Sequence, residues 1–92
     1  MAERVVAVAG ADGLHARPAA LFVRAVAESG MTVRIGRADG ESDVDARSIL
    51  AVLGLDVRSG DRVRLSADGE GSERVLDGLV ALLAGEGVDA AH

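Results

Sequence analysis

The chain contains no cysteine, no tryptophan and no tyrosine, and only one phenylalanine and one proline in 92 residues. Without cysteine there is no disulfide framework and no thiolate metal site. With almost no aromatic rings there is little on which nucleic-acid bases could stack. Basic residues are outnumbered, 10 against 15 acidic, giving a net charge of −5. That balance argues against a nucleic-acid partner, which usually meets a basic face. Long apolar runs are also missing. Nothing has the length of a membrane span or the layout of a signal peptide, so no membrane role is expected and the cytoplasm is the expected address.

What is present is a patterned small domain. Nearly half of the residues are apolar, 49%, enough for one core in a chain that buries roughly two thirds of its unfolded surface. "ERVVAVA" (3–9) reads as a strand with Val6 and Val8 on one face. From Ala16 to Glu28, Ala19, Phe22, Val23 and Val26 recur at helical spacing, with Pro18 in the first turn and Gly30 at the stop. "TVRIGR" (32–37) alternates, "ADG" (38–40) signals a hairpin, and "ESDVDA" (41–46) is the expected returning edge strand. Ser48 reads as the N-cap of a short helix, "ILAVLG". "DRVRLSA" (61–67) is the clearest strand. A last helix carries Val75, Leu76, Leu79, Val80 and Leu83 on one stripe and opens at Glu70 or Ser72. The order β-α-β-β-α-β-α points to an α+β two-layer fold, an antiparallel sheet with helices on one face. Residues 1–84 form the expected domain and 85–92 a flexible tail.

The chemistry gathers in "DGLHARPAALFVRAVAESG" (12–30). One of only two histidines, His15, stands at the doorway of a helix, with Arg17 two residues on. An isolated His-x-Arg-Pro is more often an ordinary surface feature, and Pro18 has a sufficient structural reason in helix initiation. The flanking residues change that balance. "GLHARPAALFV" is strongly similar to the phosphorylation site of HPr, the histidine-containing phosphocarrier of the bacterial phosphoenolpyruvate–sugar phosphotransferase system. "VDARSILAVLGLDVRSGDRV" (44–63) resembles the second signature of that family. Two separate motifs in the right order make the resemblance specific, and it extends over the chain from about Arg4 to Leu83. Asp12 and Asp45 depart from residues common in the family, and one extra residue falls between Gly40 and Ser48.

The resemblance implies an open-faced β-sandwich: a four-stranded antiparallel sheet of order 1-4-2-3 with three helices on one face. It implies that His15 takes a phosphoryl group, on Nδ1, from enzyme I charged by phosphoenolpyruvate, and passes it to sugar-specific IIA domains. The chain would be a phosphoryl-transfer intermediate rather than a turnover enzyme, and a monomer. Elementary chemistry agrees with that role. Neutral imidazole is nucleophilic, and its charge change lies near pH 7. Backbone N–H groups of Ala16 and Arg17 at a helix start favour an anion, and the Arg17 guanidinium adds a charge-assisted donor. No cofactor is implied, and His15 with His92 lacks metal-ligand spacing, so no metal is expected.

By the same resemblance, Ala16, Ala20 and Arg24 with Ile49, Leu50 and Leu53 form a partner-docking surface. Ser48 corresponds to a regulatory phosphorylation site, with an HPr serine kinase as its partner in hosts that have one. Two alternatives stand beside this reading. One is an HPr-like carrier of a regulatory or dihydroxyacetone-phosphorylating branch. The other is a regulatory binding module acting through Ser48.

Overall fold

Alternation along the strands sets the two faces of the sheet. In the computed structural model, which describes residues 1–85, the elements are β1 (Ala2–Ala7), α1 (Ala16–Ser29), β2 (Val33–Arg37), β3 (Val44–Asp45), α2 (Ile49–Gly54), β4 (Arg62–Ala67) and α3 (Ser72–Leu83). Apart from Gly85, the expected tail 85–92 lies outside the described residues. The four strands form one sheet of order β1-β4-β2-β3, and every pairing is antiparallel. The register places Val6 opposite Val63, Ile35 opposite Leu65 and Ile35 opposite Val44. Because side chains alternate, these residues share a face.

That face meets the three helices. Val6, Val8, Val33, Ile35, Val63 and Leu65 pack with Phe22 and Val26 of α1, Val52 of α2, and Leu76, Leu79 and Leu83 of α3. Phe22 is fully buried, and truncating such a ring typically costs about 3–5 kcal/mol. On the opposite face Glu3, Val5, Arg34 and Arg62 remain exposed. The core residues expected from periodicity are thus the ones that are buried, except that Val23, Val75 and Val80 lie at its margin.

The boundaries moved where tertiary contacts redirect the backbone. The first strand was expected to run to residue 9, but the ladder ends at Ala7. Beyond it the Ala9 N–H donates to the Leu83 carbonyl, 2.9 Å away, drawing the chain to the end of α3. The last helix opens at Ser72 rather than Glu70, behind Gly71.

The returning strand needs a larger correction. A turn does form, with the Gly40 N–H donating to Arg37 O at 2.9 Å. The strand expected over 41–46 shrinks, however, to Val44–Asp45. Asp43 explains the difference. Its carboxylate pairs with Arg64 at 2.7 Å, and its carbonyl accepts from Arg34 at 2.6 Å. The loop is thereby folded against the open face instead of extending the hairpin. Gly36 makes room for it: a Cβ there would collide with the Asp43 carboxylate and lie 2.6 Å from Ser42 O. β3 nevertheless occupies the expected edge.

Candidate functional site

Two loops build the site, and backbone contacts clamp them together. The loop entering α1 carries Gly13, whose φ of 62° is left-handed. A Cβ at this position would stand 2.5 Å from Val57 O and 2.7 Å from Arg58 Cα. Only glycine permits that approach. The next residue completes the clamp, as the Leu14 N–H donates to Val57 O at 3.0 Å while its side chain is fully buried.

His15 follows immediately. It occupies the N-cap position of α1 with extended backbone (φ −127°, ψ 163°), and its side chain makes no capping hydrogen bond. The imidazole is partly exposed, 38%. Ala16 has a φ of 51°, a left-handed value that strains any residue with a Cβ. Strain of this kind collects at functional sites. Arg17 is exposed, and among the described residues its guanidinium has no ion-pair partner. The helix that starts here has 14 residues, so its aligned peptide dipoles favour negative charge near His15.

A residue that sequence reasoning missed lies against the ring. Asp56 Oδ1 is 3.4 Å from His15 Nε2. This carboxylate comes from the loop after α2, not from Asp12, the acidic residue nearest to His15 in sequence. The only local signal for Asp56 is an acid two residues past Gly54, and such a signal carries no spatial information. Asp56 also has a left-handed φ, 52°, which Asp adopts more readily than most residues.

The Asp56 loop is held from below. The Asp56 N–H donates to Leu53 O at 3.1 Å. Arg37 Nη1 donates to the carbonyls of Leu55 and Asp56 at 3.4 and 3.2 Å. Arg37 Nη2 reaches Asp61 Oδ2 at 3.1 Å, and the Arg58 N–H donates to the same oxygen at 3.0 Å. The Arg58 backbone N–H, against partial desolvation and together with the Arg37 guanidinium, holds the Asp61 carboxyl below its usual range.

The residues expected to dock partners divide by burial. Ala16, Ala20 and Arg24 are exposed on α1, as are Ile49 and Leu50 on α2. Leu50 is 79% exposed, which is unusual for a leucine. Leu53 is different: it is partly buried and packs against the core. α1 and α2 pack against each other. Ser48 caps α2 as expected, its hydroxyl accepting from the Ala51 N–H at 3.2 Å. Asp45 accepts from the Arg47 N–H at 2.9 Å. That backbone bond, opposed by desolvation and assisted by the Arg47 guanidinium, lowers the Asp45 carboxyl. Among the described residues no group of three or more His, Cys, Asp or Glu side chains is placed to hold a metal ion. No described helix is long and apolar enough to cross a membrane.

Known proteins resemble this chain over nearly its whole length. A family profile described as "PTS HPr component phosphorylation site" matches residues 2–85. Phosphocarrier protein HPr of Streptomyces coelicolor is 52% identical over 89 residues, covering 97% of this chain and 94% of the relative. The phosphocarrier protein HPr of Haloferax volcanii is 47% identical over 81 residues, covering 88% and 91%. A crystal structure of HPr-C-His from Thermoanaerobacter tengcongensis superposes with a TM-score of 0.84 at 34% identity and covers 94% of each chain. On the family match, the identity and the shared fold, the chain belongs to the HPr family, the phosphocarrier component of the phosphotransferase system.

Proposed function

We propose that His15 receives a phosphoryl group from enzyme I, charged by phosphoenolpyruvate, and delivers it to sugar-specific IIA domains in the cytoplasm. The observation that carries this reading is the state of the α1 start. A partly exposed imidazole, not used as a cap, stands at the positive end of a 14-residue helix, two residues before an exposed arginine that has no ion-pair partner among the described residues. An incoming phosphoryl group would meet an accessible nucleophile, the N–H groups of Ala16 and Arg17, and the Arg17 side chain. In the transfer, a ring nitrogen lone pair forms the N–P bond as the bond from phosphorus to enzyme I breaks. The reverse sequence hands the group to the IIA domain.

Docking is assigned to the exposed Ala16, Ala20, Arg24, Ile49 and Leu50, with Leu53 supporting them from the core side. An apolar group as open as Leu50 favours a protein interface. Ser48 is assigned a regulatory phosphorylation by an HPr serine kinase. A phosphate there would add charge beside these apolar groups and raise the desolvation penalty of docking. A role as a binding module through Ser48 alone leaves His15 and Arg17 without a use.

The test is to incubate the protein with phosphoenolpyruvate and enzyme I. The expected product is an acid-labile, base-stable phosphohistidine at residue 15, transferable to a IIA domain. His15→Ala should abolish transfer with its melting curve unchanged, since a partly exposed ring leaves no core cavity. Label that survives in His15→Ala and still passes to a IIA domain would overturn the assignment.

A further inference from the structure

We infer that Asp56 is a positioning residue for phosphoryl transfer, acting through the His15 ring; the inference rests on His15 being the phosphoryl acceptor. Three consequences follow from an acceptor 3.4 Å from Nε2. An ionised carboxylate only accepts, so it favours the ring with its proton on Nε2 and its lone pair on Nδ1. The same negative charge repels phosphoryl oxygens from the Nε2 side. As Nδ1 bonds to phosphorus and the bond to the donor breaks, the ring keeps its Nε2 proton and becomes a cationic N-phosphoryl imidazolium. Its new charge develops next to Asp56. The arrangement has the logic of an Asp–His pair in a nucleophilic triad, where the carboxylate orients the ring and stabilises its cation without taking the proton.

The carboxylate is built to stay there. Arg37 on its carbonyl and Leu53 O on its N–H fix the backbone, and Arg58 Nη2 lies 3.4 Å from the other carboxylate oxygen. At 3.4 Å the pair is in ion-pair range without hydrogen-bond geometry in the resting protein, and catalytic hydrogen bonds are often long or poorly aligned until the reacting complex forms. Asp56 is 62% exposed, so water and salt screen its charge and the effect is modest.

Asp56→Asn and Asp56→Gly test the role. Both replacements tolerate a left-handed φ. The first retains an acceptor oxygen and loses the charge, while the second loses both. Each is equilibrated with labelled enzyme I, and the share of label on His15 is measured at low and at high salt. Both variants should hold about twofold to fivefold less label relative to enzyme I than wild type. The deficit should shrink at about 1 M salt, and the KM for enzyme I should not change. The ¹⁵N resonance of Nε2 in phosphorylated His15 should move further in Asp56→Gly than in Asp56→Asn. Unchanged equilibria in both variants, with wild type labelled at His15, would overturn the role of Asp56 alone. A change confined to KM would also overturn it, by making Asp56 a docking residue. Absence of label on wild type would overturn the acceptor reading and this inference together.

Discussion

The starts of α1 and α2 are solved in opposite ways. At α2 the Ser48 hydroxyl accepts a first-turn N–H, and no residue of the helix leaves the ordinary backbone regions. At α1 the N-cap side chain makes no such bond, and Ala16 is held left-handed. One start completes its own hydrogen bonds. The other has no side-chain cap, strains the backbone and is followed by an arginine that has no ion pair among the described residues. Local stability would favour the Ser48 solution at both ends. The His15 end departs from it where an anion must arrive and leave.

This contrast is sharpest at Arg17. Arg17→Ala should reduce transition-state stabilisation by about 2 kcal/mol, less than the ~2.7–4 kcal/mol typical of one buried oxyanion-hole donor because the site is open to solvent. Its melting temperature should stay with wild type. Single-turnover transfer from enzyme I is the measurement, and rates within about twofold of wild type would make the two helix starts alike. Ser48→Ala is the mirror experiment. It should cost about 1 kcal/mol of stability, read by denaturant unfolding, with little change in the transfer rate. Ser48→Asp should instead leave the melting temperature in place and raise the KM for enzyme I.

Smaller effects separate strain from charge. Ala16→Gly should raise stability by about 0.5–1 kcal/mol, because glycine accepts the left-handed φ that alanine resists. A loss of stability in denaturant titration would mean that Ala16 is not strained.

The smallest effect concerns the loop that carries Asp56. Asp61 titrates below its usual range in the fold, owing first to the Arg58 N–H and then, against desolvation, to Arg37. A carboxylate depressed in this way stabilises the protein above its unfolded pKa of about 3.9 and loses that contribution as pH falls through the lower folded value. Asp61→Asn should therefore lower the melting temperature at neutral pH, and the difference should shrink as pH falls below the range where carboxylates ordinarily titrate. A constant difference across that range would remove Asp61 from the acid response.

Periodicity made much of this legible. Phe22, Val26, Val63, Leu65, Leu76 and Leu79 all lie in the core that their spacing assigns to them. The Ser48 cap was legible for a related reason, since its partner N–H is three residues away. The hairpin forms as expected, but its returning strand is shorter because Asp43 answers to Arg64, 21 residues on, and to the space above Gly36. Neither influence leaves a local trace. Leu53 similarly looked like Leu50 in sequence, yet one packs on the core and the other stands in solvent.

The sequence by itself determined the element order, the buried stripe of each helix, the cap of α2, and the histidine and arginine at the start of α1. These depend on residues a few positions apart, and side-chain periodicity or hydrogen-bonding chemistry encodes them directly. The family motif added the sheet order, which the pattern alone left open. Only the tertiary structure decided that Ala16 is left-handed, that Gly13 must meet Val57, and that the carboxylate beside His15 is Asp56, 41 residues away, rather than Asp12. Those outcomes depend on two loops being brought together by the core beneath them, and no short stretch of chain contains both.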